Sequence, residues 1–265
     1  MINQLRQAIL NETSKLIKNR TSYIYLAIIL VLIIASSFGI KLIENTSGAN
    51  NGYSFVLFSL QAVSTTILPF LLLMFSANII SSEKSSGTIR NILVSGCSKS
   101  HFILSKLISS FLFQLALMGL SALIAITIGY LLFGFGKISE DGLIIMSQYQ
   151  FWLQFLISYT CLAIVLFAAI SFGIMISTIA QTTISAVVMA IGSYIVLESI
   201  KAKLHIESYI YSSYIEFPLG NLSNLVEGFR VSWTPKIYHC LTVSTLWILI
   251  TSTLSFIIIK KSEFK

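Results

Sequence analysis

The chain has 265 residues, of which 55% are hydrophobic and only 10% are charged, and its mean hydropathy is +0.87. A soluble globular domain carries roughly 25% charged residues, so this composition excludes a soluble protein and indicates a multispanning membrane protein. The net charge of +7 could suggest a nucleic-acid-binding protein, but its distribution among the loops, described below, is that of a membrane topology signal.

Residues 1–20 predict an amphipathic, basic helix. Ile2, Leu5, Ile9 and Ile17 fall near one helical face, and the basic residues lie largely elsewhere. A segment of this kind lies in the plane of the lipid headgroups as an interfacial helix.

The first membrane span is predicted at residues 23–40, which carry no charge. A cleavable signal peptide is the alternative, because Ala35 and Ser37 would suit a cleavage site. The long N-terminal region before this span and the even number of spans favour a retained anchor.

Five further spans follow. The uncharged run 151–197 is too long to cross a core of roughly 30 Å once, so it must cross twice and turn near residues 177–182. Pro69 lies inside the second span and predicts a kink, and Ser98 or Ser100 could cap the helix that enters the third. The predicted spans after the first are 53–82, 107–135, the two halves of 151–197, and 241–259.

The basic residues divide unequally between the two sides of the membrane. The side that holds both termini and the loop after the second span has eleven basic residues and three acids, and the other side has six basic residues and seven acids. The positive-inside rule therefore places both termini in the cytoplasm. The excess positive charge also predicts attraction to anionic lipids.

The loop after the second span is a charged island between two uncharged runs, and residues 84–99 predict a short helix there. Ile89, Ile92 and Leu93 fall on one face, with Arg90 and Lys99 beside them. A helix of about two turns is unstable alone in water, so this stripe predicts a docking surface for a cytoplasmic partner. An ordinary interhelical loop is the alternative.

Residues 201–239 form a long outer segment with two predicted amphipathic helices, separated at Pro218-Leu219-Gly220. The first presents Tyr209, Tyr214 and Phe217, and the second ends near Phe229. The segment either dips into the outer leaflet or lies on the surface as an aromatic belt, and the sequence leaves both open.

Several kinds of chemistry are missing from the sequence. No Asp, Glu, Lys, Arg or His lies within the six spans as drawn, which disfavours a pump or an ion-coupled carrier. The chain has no phosphate-binding loop of the type G-x-x-x-x-G-K-[ST], and its three cysteines and three histidines lack the spacing of a disulfide framework or metal site. We therefore predict no catalytic, cofactor or metal site in this chain, and a membrane enzyme is disfavoured.

The layout resembles a permease of the ABC-2 type, the membrane half of a bacterial ABC exporter. The most specific local element is Glu83…Gly87-Thr88-Ile89 followed by Ser98-Lys99 and Lys106, which resembles the family's acidic residue followed by Gly-Thr after the second span. The N-terminal Glu12-x-x-Lys15-Leu16 is similar to permeases of the peptide-antibiotic resistance and immunity kind. Gln181 departs from the family, which often has a basic residue in the turn after the fourth span.

The resemblance implies an all-α permease with six transmembrane helices, an interfacial helix at 1–20, a coupling helix at 84–99 and short amphipathic helices before the last span. Two separate ATPase subunits would bind ATP and Mg²⁺, and a second permease chain, identical or paralogous, would complete the transporter. Residues implied in coupling to the ATPase are Glu83, Gly87, Thr88, Ile89, Arg90, Ile92, Leu93 and Lys99. Glu83 and Arg90 would steer the contact, and Gly87 would allow the sharp turn out of the second span.

The substrate class is predicted from uncharged polar side chains and from outer aromatics. Gln114, Gln154 and Tyr159 offer polar groups along a pathway but no charge that would select an ion. An amphipathic or hydrophobic molecule, with an antimicrobial peptide first, is therefore expected to be exported. Sodium, a lipid or a maturation cargo remain alternatives, as does a membrane scaffold without transport. Candidate outer-gate residues are Tyr209, Tyr214, Phe217, Phe229 and Trp233.

Overall fold

The structure is a computed structural model of the chain. It describes residues 2–47, 52–89, 98–136, 138–140, 143–229 and 234–261. Within these ranges, six helical segments are long and apolar enough to cross a membrane. They confirm the predicted all-α membrane fold and the predicted number of spans.

The helices alternate in direction. Helix α1 spans Ile2–Lys18 and is followed by α2, Arg20–Ser47, the first span. The second span is continuous from Gly52 to Ser85, made of α3, Gly52–Ala62, a π-helical turn, Val63–Ile67, and α4, Leu68–Ser85. The remaining spans are α5, Lys99–Phe133, α6, Gln148–Ile179, α7, Thr183–Leu204, and α9, Thr234–Lys261, with a short helix α8, Phe217–Val226, before the last.

The two ends of the bundle differ in character. One end, here called the charged end, carries α1, the end of α4, the start of α5 and the end of α9. The opposite end carries α8, two single-turn 3₁₀ helices, Glu207–Tyr209 and Tyr211–Tyr214, and a hairpin of β1, Ile138–Glu140, with β2, Leu143–Met146. Asp141-Gly142 stands between these strands in sequence, which is a frequent hairpin pair, and the sequence analysis missed this signal.

The second span contains a π-helical turn directly before Leu68-Pro69, the place where the sequence predicted a kink. Proline has no N–H to donate to the preceding turn, so the helix widens at Val63–Ile67 immediately before it. Hydroxyls satisfy nearby carbonyls: Thr65 Oγ1 donates to the Gln61 carbonyl at 2.9 Å, and Thr66 Oγ1 donates to the Ala62 carbonyl at 2.5 Å.

Side-chain caps explain where several helices start. The Ser98 hydroxyl accepts a hydrogen bond from the His101 backbone N–H at 3.2 Å and caps α5. Of the two predicted candidates, Ser98 and Ser100, the cap is therefore Ser98. A capping box of Thr182 with Ser185 starts α7 directly after the predicted turn at 177–182.

The second and fourth spans form the centre of the bundle. In their most apolar stretches, 78% of the residues are buried in the fourth span and 61% in the second, against 17% in the fifth. A Cβ on Gly173 of α6 would lie 1.9 Å from Ser76 Oγ of α4, so the two helices approach closely because this position is glycine. Ser177 of α6 adds an interhelical bond to the Ala77 carbonyl.

The outer segment differs in detail from its predicted form. Its first part consists of the two 3₁₀ turns rather than one amphipathic α-helix. Pro218 lies in the first turn of α8, where its missing N–H is harmless, so Pro-Leu-Gly starts this helix instead of separating two helices. Helix α8 packs against α3 and α6, with Leu219 and Leu222 fully buried.

Candidate functional site

The charged end of the bundle brings together four ionised side chains from three helices. Lys106 of α5 lies with its Nζ 2.5 Å from Glu12 Oε2 of α1 and 2.7 Å from Glu83 Oε1 of α4. Lys15 of α1 contacts the same two carboxylates, at 2.8 Å from Glu12 and 3.0 Å from Glu83. We call these four residues the ion cluster.

The two lysines of the ion cluster differ in burial. The Lys106 side chain is 3% exposed and that of Lys15 is 55% exposed, whereas both carboxylates are 12% exposed. Coulomb attraction is stronger where water is excluded, so the Lys106 contacts should dominate the energy of the cluster. Within the described part of the chain, Glu83 Oε2 is buried without a hydrogen-bond partner. The cluster therefore has acceptor capacity that its own members leave unused.

The pKa values of Glu12 and Lys15 on α1 reflect this cluster. Burial acts to raise the pKa of Glu12, but attraction and hydrogen bonding to Lys106, with a further contribution from Lys15, lower this pKa below its ordinary value. For Lys15, burial acts to lower the pKa, but hydrogen bonding to Glu12 and attraction to Glu83 raise it overall. Both groups are therefore charged at neutral pH, as an ion network requires.

Lys84 ties the end of α4 to the end of α6. Its Nζ donates hydrogen bonds to the Thr178 carbonyl and, at 3.2 Å, to the Ala180 carbonyl. These carbonyls lie at a helix C-terminus, where the helix dipole favours a cation. The turn after the fourth span, which contains Gln181, thus receives a cation from the second span.

The chain turns out of the second span at Gly87. This glycine has φ = +70°, a left-handed conformation that L side chains rarely adopt, which explains the glycine expected there. Thr88 Oγ1 donates to the Glu83 carbonyl at 3.3 Å and closes the turn over the last residues of α4. The turn is therefore built by the predicted Gly-Thr pair.

Ile89 is placed differently from its predicted role. Its side chain is 2% exposed and belongs to the hydrophobic core, so it fastens the segment to the bundle rather than facing a partner. The prediction grouped it with Ile92 and Leu93 by helical spacing alone, and spacing does not say which side of a loop is covered. Arg90, Ile92 and Leu93 lie outside the described residues.

Lys99 anchors the other side of the same segment. It is the first residue of α5, and its Nζ donates to the Lys260 carbonyl at 3.3 Å, near the C-terminus of α9. The segment predicted to couple thus leaves α4 at the ion cluster and enters α5 beside the last span.

The predicted pathway residues join α5 to α6. Gln114 is fully buried, with its Nε2 donating to the Ala163 carbonyl at 2.7 Å. The Tyr159 hydroxyl donates to the Met118 carbonyl at 2.7 Å. Gln154 is half-buried in α6, where its carbonyl accepts from Ser158. Gln114 and Tyr159 therefore hold α5 and α6 together. Gln114 Oε1 has no hydrogen-bond partner among the described residues.

The predicted outer residues that the structure describes lie in different surroundings. Tyr209 is exposed and its carbonyl accepts from Trp247 Nε1 at 2.8 Å, while Phe229 is exposed at the end of the segment. Tyr214 and Phe217 line a shared cavity with Lys236 and His239. Trp233 lies outside the described residues.

Sequence reasoning did not include Glu12, Lys15, Lys84 and Lys106 among its site residues. Glu12, Lys15 and Lys106 were considered only as part of family patterns. The useful signal was the presence of charges within a helical turn or two of long apolar runs, because such charges need partners. Among the described residues, no group of three or more His, Cys, Asp or Glu side chains could hold a metal ion.

Comparison with known proteins agrees with this architecture. The family profile described as ABC-2 family transporter protein matches residues 8–197, which is most of the chain. No curated protein sequence shows significant similarity to the chain. The matched range begins in α1, includes the ion cluster and the Lys84 clamp, and ends in α7. The chain belongs to the ABC-2 family of transporter proteins, as a membrane-spanning transport subunit.

Proposed function

We propose that this chain is the permease of an ATP-driven exporter and that the segment 84–99 receives the movement of a separate ATPase subunit. The observation that carries this proposal is the ion cluster. It joins the base of the second span to the interfacial helix and to the third span, directly where the segment begins. An ordinary loop would not need such an anchor.

The anchors on both sides of the segment support its role as a mechanical input. Glu83 and Lys84 hold its first end to α1, α5 and α6, and Lys99 holds its second end to α9. A force applied to the segment therefore acts on several spans together. Ile92 and Leu93 supply the apolar contacts to the ATPase, and Arg90 supplies a charge beside them.

The division of labour follows from the chemistry of the chain. ATP and Mg²⁺ bind to the partner ATPase, because this sequence has no phosphate-binding loop of its own. We propose two ATPase copies and a second permease chain, either identical or paralogous. The complex lies in the cytoplasmic membrane of a bacterium, with the charged end and both termini in the cytoplasm.

The experiment that tests this proposal asks whether an ATP-binding-cassette protein co-purifies with the chain, and then measures ATP hydrolysis and transport by the complex in vesicles. Ile92→Asp puts a charge on the docking stripe, so it should reduce ATPase binding at least tenfold while the chain remains inserted. Ile92→Val keeps an apolar side chain and serves as the matched control. Normal ATPase binding and transport in Ile92→Asp would count against this segment as the input, and a non-ATPase partner would favour a scaffold.

We propose an amphipathic or hydrophobic substrate, with an antimicrobial peptide first. The charged residues of the six spans lie toward the helix ends, the fourth span carries none, and the apolar middle parts include uncharged polar groups and aromatics. Exposed aromatics such as Tyr209 and Phe229 at the opposite end suit a molecule that leaves through the interface. Deletion of the gene should raise susceptibility to membrane-active peptides. A fall in sodium tolerance with unchanged peptide susceptibility would indicate that the substrate is sodium and not a peptide.

A further inference from the structure

An apolar groove of about 280 Å³ runs between the interfacial helix and the third span. Its walls come from the end of α1, the start of α2 and the middle of α5, and they include Leu16, Leu26, Leu112, Phe113 and Leu120. Its few polar groups are hydroxyls, and the Ser22 hydroxyl already donates to the Leu16 carbonyl at 2.8 Å. The groove therefore offers almost no hydrogen-bonding chemistry to a ligand.

The groove opens toward the outside of the bundle. Ile17 and Tyr23 on one wall and Leu112 and Leu120 on the other are exposed. In a membrane this side faces hydrocarbon, so the natural filling is an acyl chain rather than water.

Two basic residues lie at the corner where α1 meets α2, close in sequence to the groove-lining residues Ile17 and Ser22. Lys18 is the last residue of α1 and Arg20 is the first of α2, and both are exposed. Neither forms an ion pair with the described residues, unlike Lys15, which the ion cluster uses. The corner is fixed, because Asn19 Oδ1 accepts from the Thr21 backbone N–H at 3.1 Å. Two cations without an ion-pair partner among the described residues therefore flank a fixed corner next to the apolar groove.

We infer that the groove binds one anionic glycerophospholipid, with an acyl chain between α1 and α5 and its phosphate between Lys18 and Arg20. The apolar walls select a hydrocarbon chain, and the two cations select a headgroup with net negative charge over a zwitterionic one. A lipid held here packs against α1 beside the ion cluster and keeps the interfacial helix on the bundle. The inference rests on the orientation proposed above, in which this end meets the anionic cytoplasmic leaflet.

Lipid binding to the purified full chain tests the inference. After delipidation in detergent, the chain is titrated with dioleoylphosphatidylglycerol or with dioleoylphosphatidylcholine, and bound lipid is counted by native mass spectrometry. One phosphatidylglycerol should bind at least tenfold more tightly than phosphatidylcholine. Lys18→Gln and Arg20→Gln should each reduce this preference about fivefold, because each removes one cation near the phosphate.

Tryptophan substitutions locate the bound chain. Ala116 lies in the groove wall at an exposed position of α5, so Ala116→Trp should fill the slot and abolish the tight site. Leu123→Trp, at an exposed position of the same helix outside the groove, should keep it. Equal affinity for the two lipids in the unmodified chain would overturn the inference. Undiminished lipid binding by Ala116→Trp would also overturn it. If Ala116→Trp instead changes the oligomeric state and keeps the lipid, the groove is assigned to a second copy of the chain. No ATPase is present in this assay, so its failure leaves the proposed function standing.

Discussion

Lys106 and Lys15 make the same two ion pairs from positions that differ mainly in exposure, which permits a direct test of what the ion cluster contributes. Lys106→Met removes a cation that is 3% exposed and leaves Glu12 and Glu83 facing each other. Breaking a buried ion pair costs about 3–5 kcal/mol. We expect about 3 kcal/mol, the low end, because each carboxylate keeps 12% exposure and can draw on water.

Lys15→Met is the matched control. It removes contacts to the same carboxylates at similar distances, but its side chain is 55% exposed, so the expected loss is below about 1 kcal/mol. The free energy of unfolding is measured for both variants by titration with dodecyl sulfate in mixed micelles. Membrane insertion of each variant is checked first by protease protection.

A third variant separates lost attraction from lost packing. Lys106→Met with Glu83→Gln removes one carboxylate and leaves Glu12 paired with Lys15, so it should recover part of the stability lost in Lys106→Met alone. A double-mutant cycle gives this coupling energy. Equal losses from Lys15→Met and Lys106→Met, or no recovery in the double variant, would refute the argument that burial makes Lys106 the dominant partner.

Three further predictions concern the same regions of the bundle. Gly87→Ala should cost about 1–2 kcal/mol in unfolding free energy from its φ of +70°, since no atom of the described residues lies within 4 Å of the added Cβ. The pKa of Glu12 is lowered from its ordinary value of 4.5, so the Glu12 carboxylate should stabilise the fold fully above that pH and lose this contribution as the pH falls below it. The free energy of unfolding measured over a pH series tests this. Cys161 and Cys240, whose Sγ atoms lie 3.6 Å apart, should form a disulfide with diamide, seen as a loss of two free thiols by mass spectrometry. Failure of that cross-link would mean that α6 and α9 pack differently.

The spans could be predicted from the sequence because each is a long run without charge. The bilayer requires about twenty apolar residues per crossing, and this requirement does not depend on tertiary contacts. The helices extend beyond the predicted limits at the charged end, where α4 includes Glu83 and Lys84 and α5 includes Lys106. The predicted limits of the spans were drawn at charged residues, but a charged residue that forms an ion pair can lie within a helix.

The ion cluster could not be predicted in the same way. Lys106 and Glu12 lie 94 residues apart, and only the packing of α1 against α5 brings them together. Local spacing also gave the wrong exposure for Ile89, because the covering surface comes from distant parts of the chain. The Gly-Thr turn, by contrast, was predictable because a left-handed residue at a sharp turn selects glycine locally.

Two adjacent residues at the end of α4 connect this helix to three others. Successive residues of an α-helix project about 100° apart, so Glu83 and Lys84 reach different neighbours. Glu83 joins α4 to α1 and α5 through Lys106 and Lys15, and Lys84 joins it to the end of α6. Further along, Gly173 brings α6 so close to α4 that neither helix can slide without disturbing the other. Under the proposed coupling role, a movement that enters at residue 86 would act on α4 and, through these contacts, on α1, α5 and α6, and the bend at Gly87 would set the direction of the segment that follows.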